Sequence, residues 1–298
     1  MVEETEAPRS AGPIDQPQPP PHLTYPLPLP LHLLHRKGAA VRLHCLFSRD
    51  PERGHFSIPS RPIPSHPRRR DRKKKVRGRC GVRRDEMAPV KLYGATLSWN
   101  VTRCVAALEE AGVEYELVPI NFSTGEHKSP DHLARNPFGQ VPALQDGDLY
   151  VFESRAICKY ACRKNKPELL KEGDIKESAM VDVWLEVEAH QYTAALSPIL
   201  FECLIHPMLG GATDQKVIDD NLVKIKNVLA VYEAWLTKSK YLAGDFLSLA
   251  DLNHASVTLC LAATPYASLF DAYPHVKAWW TDLLTRPSVQ KVAALMKP

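Results

Sequence analysis

Four short stretches of this 298-residue chain place polar groups where a ligand could meet them. Ser98, in Leu97-Ser98-Trp99, stands where an apolar run ends and a helix-period run begins. A hydroxyl at a helix start can donate to an anion, helped by the positive end of the helix dipole. No Gly-x-Ser-x-Gly elbow surrounds it and no His is sequence-near to act as its base, so donation fits better than nucleophilic attack. Capping of the helix by the same hydroxyl fits as well. Phe152-Glu153-Ser154-Arg155 opens a second helix. The free N–H groups of such a terminus receive carboxylates. Ser154 adds a donor, and Glu153 an acceptor for an ammonium, a set suited to an amino-acid zwitterion. A simple N-cap serine beside a dipole-favoured Glu also accounts for the pattern. His127-Lys128, in a polar loop, offers two donors for a further carboxylate; taken alone the pair reads as solvated surface. Pro142 interrupts the strand-like Gln140–Leu144, which calls for a sheet edge or a cis peptide bond. An exposed Val141 backbone there could hold an extended peptide by strand-like pairing.

The elements that must position these groups follow from periodicity. Val90–Tyr93 reads as a short strand. Val101, Cys104, Val105, Leu108 and Ala111 keep helix spacing, with Gly112 as the residue that ends the helix. Val113, Tyr115 and Leu117 alternate with Glu114 and Glu116, a half-buried strand. This β-α-β order calls for a parallel pair with a right-handed crossover. Asp146-Gly147 is a hairpin turn between Gln140–Leu144 and Leu149–Phe152, and Ser154–Lys164 is helical. The order is that of a thioredoxin-like α/β domain over residues 87–167. A linker is expected at 168–175. From 176 to 298 strand signals vanish. Ile218, Leu222, Ile225, Leu229, Tyr232 and Leu236 mark one face of a long helix. Ser248-Leu-Ala-Asp251 reads as a capping box, and Val276–Leu284 and Val289–Met296 supply two more helices.

Composition divides the chain near Met87. Residues 1–86 hold 14 of its 26 prolines and 18 Lys and Arg against 9 Asp and Glu; the remainder holds 20 against 25. The first segment contains polyproline-type runs and the basic block Arg68–Lys75, and is expected to be a disordered, dispensable extension. Its acidic start does not suit a transit or secretory peptide. No aromatics interleave the basic block for base stacking, so nucleic-acid binding is not expected. No apolar run approaches the roughly 20 residues of a membrane span. The seven cysteines are odd in number and show no C-x-x-C spacing, as in a reduced, cytoplasmic compartment.

Taken together, residues 87–298 resemble the soluble glutathione transferases, most closely the plant phi class. The resemblance rests on Leu97-Ser-Trp-Asn100, Glu126-His-Lys-Ser-Pro130, Asn136-Pro-Phe-Gly-Gln-Val-Pro-Ala-Leu144, Phe152-Glu-Ser-Arg-Ala-Ile157, Tyr241–Asp251 and Tyr273–Trp280. It implies that Ser98 hydrogen-bonds the glutathione sulfur and that His127 and Lys128 hold the glycyl carboxylate. Gln140 and Val141 would pair with the cysteinyl backbone beside a cis Pro142, and Glu153 and Ser154 would grip the γ-glutamyl end. Leu97, Trp99, Phe122, Phe201, Ile205 and Met208 would line an apolar site for hydrophobic electrophiles, equally readable as core. The family implies homodimers, no metal, no bound cofactor, and glutathione as co-substrate. Conjugation of electrophiles is the expected activity, with peroxide reduction as a companion. Redox catalysis through a protein cysteine would want Cys at position 98, and Cys104 is expected to be buried and inert. The remaining alternative is a non-catalytic carrier of apolar ligands or a transferase-like interaction module.

Overall fold

The computed structural model describes residues 88–296; the expectation of a disordered, dispensable segment at 1–86 lies outside the described residues. Strand β1 (Val90–Tyr93) leads into helix α1 (Trp99–Ala111), which Gly112 ends in the left-handed conformation, φ 65°. Glycine carries no Cβ penalty there. Strand β2 (Tyr115–Val118) returns parallel to β1, with Leu92 opposite Leu117. After helix α2 (Pro130–Arg135), strands β3 (Ala143–Asp146) and β4 (Leu149–Phe152) form a hairpin through Gly147, φ 60°. The sheet order is β2-β1-β3-β4, with β3 antiparallel to β1. Helix α3 (Ser154–Asn165) packs against α1.

Strand β3 starts later than the sequence pattern suggests. It begins at Ala143, not Gln140. The Gln140 carbonyl accepts from His132 Nε2 and from Asn136 Nδ2, both at 2.9 Å, which draws this backbone toward α2 and off the sheet. The Val141–Pro142 peptide bond is cis.

The helical half opens at Asp174, whose carboxylate caps α4 (Ile175–Val187) by accepting from the Lys176 and Glu177 N–H groups. The helical run continues to Met208 through a π-turn (Glu188–Tyr192), α5 (Thr193–Leu200), a second π-turn (Phe201–Ile205) and the single turn α6 (His206–Met208). Pro207 comes two residues after the second wide turn, where a regular ladder would need the N–H that proline lacks. Helix α7 (Gln215–Leu236) buries Ile218, Ile225, Leu229, Tyr232 and Leu236. Helices α8 (Leu249–Leu252) and α9 (Ala255–Leu261) follow the Ser248–Asp251 box, in which Asp251 Oδ2 accepts from the Ser248 N–H at 3.0 Å. Helices α10 (Pro274–Leu284) and α11 (Pro287–Leu295) complete the chain, each with proline in its first turn.

One cluster of buried apolar side chains runs from Val90 to Val292. Helix α1 lies in the middle of it, against α3 on one side and α9 and α11 on the other. Leu169 and Leu170, in the connecting stretch, are buried in the same cluster. At the end of α1, Glu110 is clasped by Arg286 (Nε–Oε2 3.0 Å), Ser288 (2.7 Å) and Lys166 (2.9 Å). Burial opposes ionisation of Glu110, but these donors more than offset it and hold its carboxyl down at about 2.

Candidate active site

Ser98 occupies the N-cap position of α1, and its carbonyl accepts from the Val101 and Thr102 N–H groups at 2.9 and 3.0 Å. Its side chain makes no capping hydrogen bond. The hydroxyl is therefore left for something else, half-exposed at the positive end of a 13-residue helix. On its two sides Leu97 and Trp99 diverge. Leu97 is 72% exposed, whereas Trp99 is only 8% exposed and sits in the core cluster. Of the two readings the sequence left open for Trp99, its burial in the core cluster favours core packing. A helical step of about 100° per residue turns its ring inward, away from the Ser98 side.

The start of α3 is built on a buried ionic cluster. Arg103, on α1, is 0% exposed. Its Nη1 donates to Ser154 Oγ at 3.1 Å and to Asn100 Oδ1 at 2.6 Å, its Nη2 to Glu188 Oε1 at 3.2 Å, and its Nε to the Asn253 carbonyl at 3.2 Å. Arg155 also holds Glu188, at 2.7 and 3.1 Å, and Thr193 donates to the same carboxylate. Burial works against the Glu188 charge, but the two guanidiniums override it and keep the carboxyl at about 2. Two cations thus share one anion behind the α3 N-terminus, leaving net positive charge that adds to the helix dipole. Arginine has no acceptor, so Ser154 Oγ must accept from it. Its own proton then remains free to donate to an incoming carboxylate. Glu153, just before the helix, is exposed and holds φ 69°, ψ 112°. A non-glycine residue in that conformation stores about 1–3 kcal/mol of strain, which surrounding structure must hold in place.

A third group of residues forms around α2. His127 and Lys128 occupy a short 3-10 turn (Glu126–Lys128). The His127 ring packs against Phe122 at 5.0 Å, and its Nδ1 is buried without a partner. Burial, followed by the nearby Lys128 and His132, lowers its basicity. Lys128 Nζ donates to the Phe138 carbonyl at 2.9 Å. The same loop carries Gln140, whose side chain is exposed, and Val141, whose backbone N–H and carbonyl join no hydrogen bond of the described residues. Lys128, the Phe138 carbonyl, Gln140 and Val141 are therefore drawn together, and Phe122 lies beside them at His127.

Two family models match the chain: the glutathione S-transferase N-terminal domain over residues 88–163 and the glutathione S-transferase C-terminal domain over 192–287. Glutathione S-transferase 1 of Zea mays is 80% identical over 212 residues, covering 71% of this chain and 99% of its own. The chain belongs to the glutathione S-transferase family. It is a transferase that conjugates glutathione, with the thioredoxin-like and helical halves of that fold. A probable glutathione S-transferase of Oryza sativa subsp. japonica is 76% identical over 213 residues, covering 71% of this chain and 99% of its own. The solved structure of maize glutathione S-transferase I in complex with an atrazine glutathione conjugate superposes with TM-score 0.70 at 80% identity, over 71% of this chain and 99% of that one.

The remaining residues expected on the apolar side of this transferase lie in the helical half. Phe201 and Ile205 are half-buried on the second π-turn, and Met208 is 66% exposed on α6. Two surface cavities lie elsewhere. One, of about 350 Å³, is lined by Pro167, Lys171 and Glu177 among others; the second, of about 360 Å³, by His190, Lys224 and Val228 among others. Among the described residues no group of three or more His, Cys, Asp or Glu is placed to hold a metal ion, and no helix is long and apolar enough to cross a membrane. Burial pushes the Cys104 thiol well above its usual range, as it does that of Cys162. Neither supplies a thiolate at neutral pH.

Arg103, Asn100 and Glu188 were not visible as site residues in the sequence. Helix α1 buries Arg103 among Val101, Cys104 and Val105, a stretch whose spacing signals only core. Glu188 lies 85 residues away and meets it only in the fold.

Proposed function

We propose that this transferase holds glutathione extended along one face of its α/β half, with the thiol at Ser98. The glycyl carboxylate lies at His127 and Lys128, the cysteinyl backbone pairs with Val141 beside Gln140, and the γ-glutamyl end meets Glu153 and Ser154. The reading rests above all on the Ser98 hydroxyl, which stands at a helix N-cap and yet caps nothing. A thiol has a pKa of about 8.5, so only a few per cent is thiolate at neutral pH. Hydrogen bonding from Ser98 and the α1 dipole favour the charged form. Lowering the pKa by two units takes about 2.7 kcal/mol, within reach of one charge-assisted hydrogen bond and a helix end. The sulfur then forms a bond to the electrophilic carbon, the leaving group departs with its electron pair, and the thiol proton has already passed to solvent.

Hydrophobic electrophiles are the substrates this arrangement suits, received by Leu97, Phe122, Phe201, Ile205 and Met208. The atrazine glutathione conjugate held by the maize relative favours that class. The same thiolate can attack a peroxide oxygen, breaking the O–O bond and releasing an alcohol or water after protonation by solvent; a second glutathione then displaces the sulfenic hydroxyl as water and forms the disulfide. The five cysteines of the described residues are free, which agrees with a cytoplasmic setting. Phe138, 65% exposed and edge-on to Phe152 at 6.1 Å, is an apolar contact for a second copy of the chain in a homodimer. Replacement of Ser98 tests the proposal. Ser98→Ala is expected to lower turnover with a chlorodinitrobenzene-type substrate at least tenfold and to raise the bound thiol's pKa by one to two units, with KM for glutathione changed only a few-fold. An unchanged thiol pKa in ultraviolet thiolate titration would overturn the role.

A further inference from the structure

Glu202, on the second π-turn, serves a cluster outside the glutathione face. Its buried Oε2 accepts from His206 Nδ1 at 2.8 Å and from the Asp214 N–H at 2.9 Å. Its backbone carbonyl accepts from Thr213 Oγ1 at 3.1 Å. One residue therefore ties the end of the helical run to the far side of the loop 209–213, just where Asp214 caps α7. The His206 ring lies 5.8 Å from the Phe201 ring, tilted by 30°. Gly211 comes so close that a Cβ there would stand 2.0 Å from His206 Cδ2 and 2.2 Å from Nε2. The imidazole thus meets both Phe201 and the loop, and its orientation is fixed by the Glu202 carboxylate. Such a carboxylate–imidazole bond sets both ring direction and tautomer.

We infer that Glu202 is a positioning residue for electrophile selection: through His206 it sets the pose of Phe201 and of the Met208–Thr213 loop, and so the shape of the apolar site. The inference rests on the reading that Phe201 and Met208 border that site. Carboxylate, ring and loop form a buckle. Released, Phe201 loses its ring contact with a fixed His206, and the loop loses the carboxylate anchor at the Asp214 N–H while keeping the Thr213 bond to the Glu202 backbone. Bulky electrophiles feel that change more than small ones, because only they reach the wall. The buckle touches neither Ser98 nor the glutathione-binding positions.

The test is a ratio, in which the fraction of correctly folded enzyme cancels. For Glu202→Ala, Glu202→Gln, Gly211→Ala and Phe201→Ala, kcat/KM is measured with a large aromatic halide and with a small alkyl halide, alongside KM for glutathione. Glu202→Ala is expected to shift the large-to-small ratio roughly tenfold, the scale at which pocket contacts discriminate substrates. KM for glutathione should stay within twofold. Glu202→Gln keeps an oxygen acceptor for the Asp214 N–H and should restore most of the ratio, whereas Gly211→Ala should disturb it. If Phe201→Ala shifts the ratio and Glu202→Ala does not, the positioning role is wrong. If Phe201→Ala also leaves the ratio unchanged, the placement of the apolar site is wrong.

Discussion

The Ser98 hydroxyl and the Arg103 guanidinium ride on the same helix and serve different parts of one candidate ligand, the central thiol and, through Ser154, the γ-glutamyl end. Ser98 was legible because it stands where apolar alternation gives way to helical period. Arg103 was not, because α1 is enclosed on nearly every side and its spacing carries no mark of a buried cation. Trp99 stayed open between site and core for a related reason: adjacency to Ser98 in sequence says nothing of facing, and in the fold it is buried in the core. His127, Lys128, Glu153 and Ser154 drew meaning only from the frame that holds them. Ser154 shows the difference between the two roles. Its hydroxyl accepts from Arg103 and has one proton left to give. Ser154→Ala is expected to raise KM for glutathione by about tenfold to a hundredfold, matching the roughly 1.5–3 kcal/mol of a hydrogen bond to a charged group. The pKa of the bound thiol should stay where it is. Steady-state kinetics and thiolate titration of the same variant check both halves, and a shifted thiol pKa would merge the roles assigned to Ser98 and Ser154.

At the scale of elements, periodicity marked β1, α1, the hairpin and α7, while the long helical run hid its two π-turns, because nothing in side-chain spacing distinguishes a wide turn from a regular one. The start of β3 was placed too early because the bonds of His132 and Asn136 to Gln140 are tertiary. The junction of α7 with α8 and α9 holds His254, whose Nε2 meets the Tyr232 hydroxyl at 2.9 Å and whose Nδ1 meets the Ala250 carbonyl at 2.7 Å. Burial lowers its pKa from 6.5 to about 4. The unfolded chain therefore takes up this proton first, so stability is full above about 6.5 and is lost as pH falls toward 4, at up to about 1.4 kcal/mol per unit. Glu110 and Glu188, held at about 2, act in the same direction at lower pH: their contribution is present above the ordinary carboxylate range and is lost as pH falls through it. The thermal midpoint is expected to be level from pH 7.5 to 6.5 and to fall below that, steepening under 4.5. His254→Asn should flatten the slope between 6.5 and 4 even if it lowers the plateau. Scanning calorimetry across that range decides it, and an unchanged slope in the variant would assign the loss to other groups.

At the scale of the whole molecule, the sequence divided an α/β half from a helical half by the disappearance of strand signals near Ile175, and the structure shows how closely the two are joined. In the proposed homodimer the exposed Phe138 would extend this joining outward. It stands on the loop that carries Gln140 and Val141, so a second copy gripping it would also steady that loop. Phe138→Asp is expected to convert the proposed dimer to monomer in sedimentation equilibrium and to raise KM for glutathione several-fold; a variant that stays dimeric would move the interface elsewhere. Within one chain, α1 is shared property. Its start faces the candidate ligand, its flanks are covered by both halves, and its end is clasped by Arg286 from the last helix boundary. Whatever the tripeptide gives to the first half is therefore felt in the second. A ligand seated on Ser98 and Ser154 would brace helices it never touches, and the two halves would melt as one body, each sheltering the other until both let go.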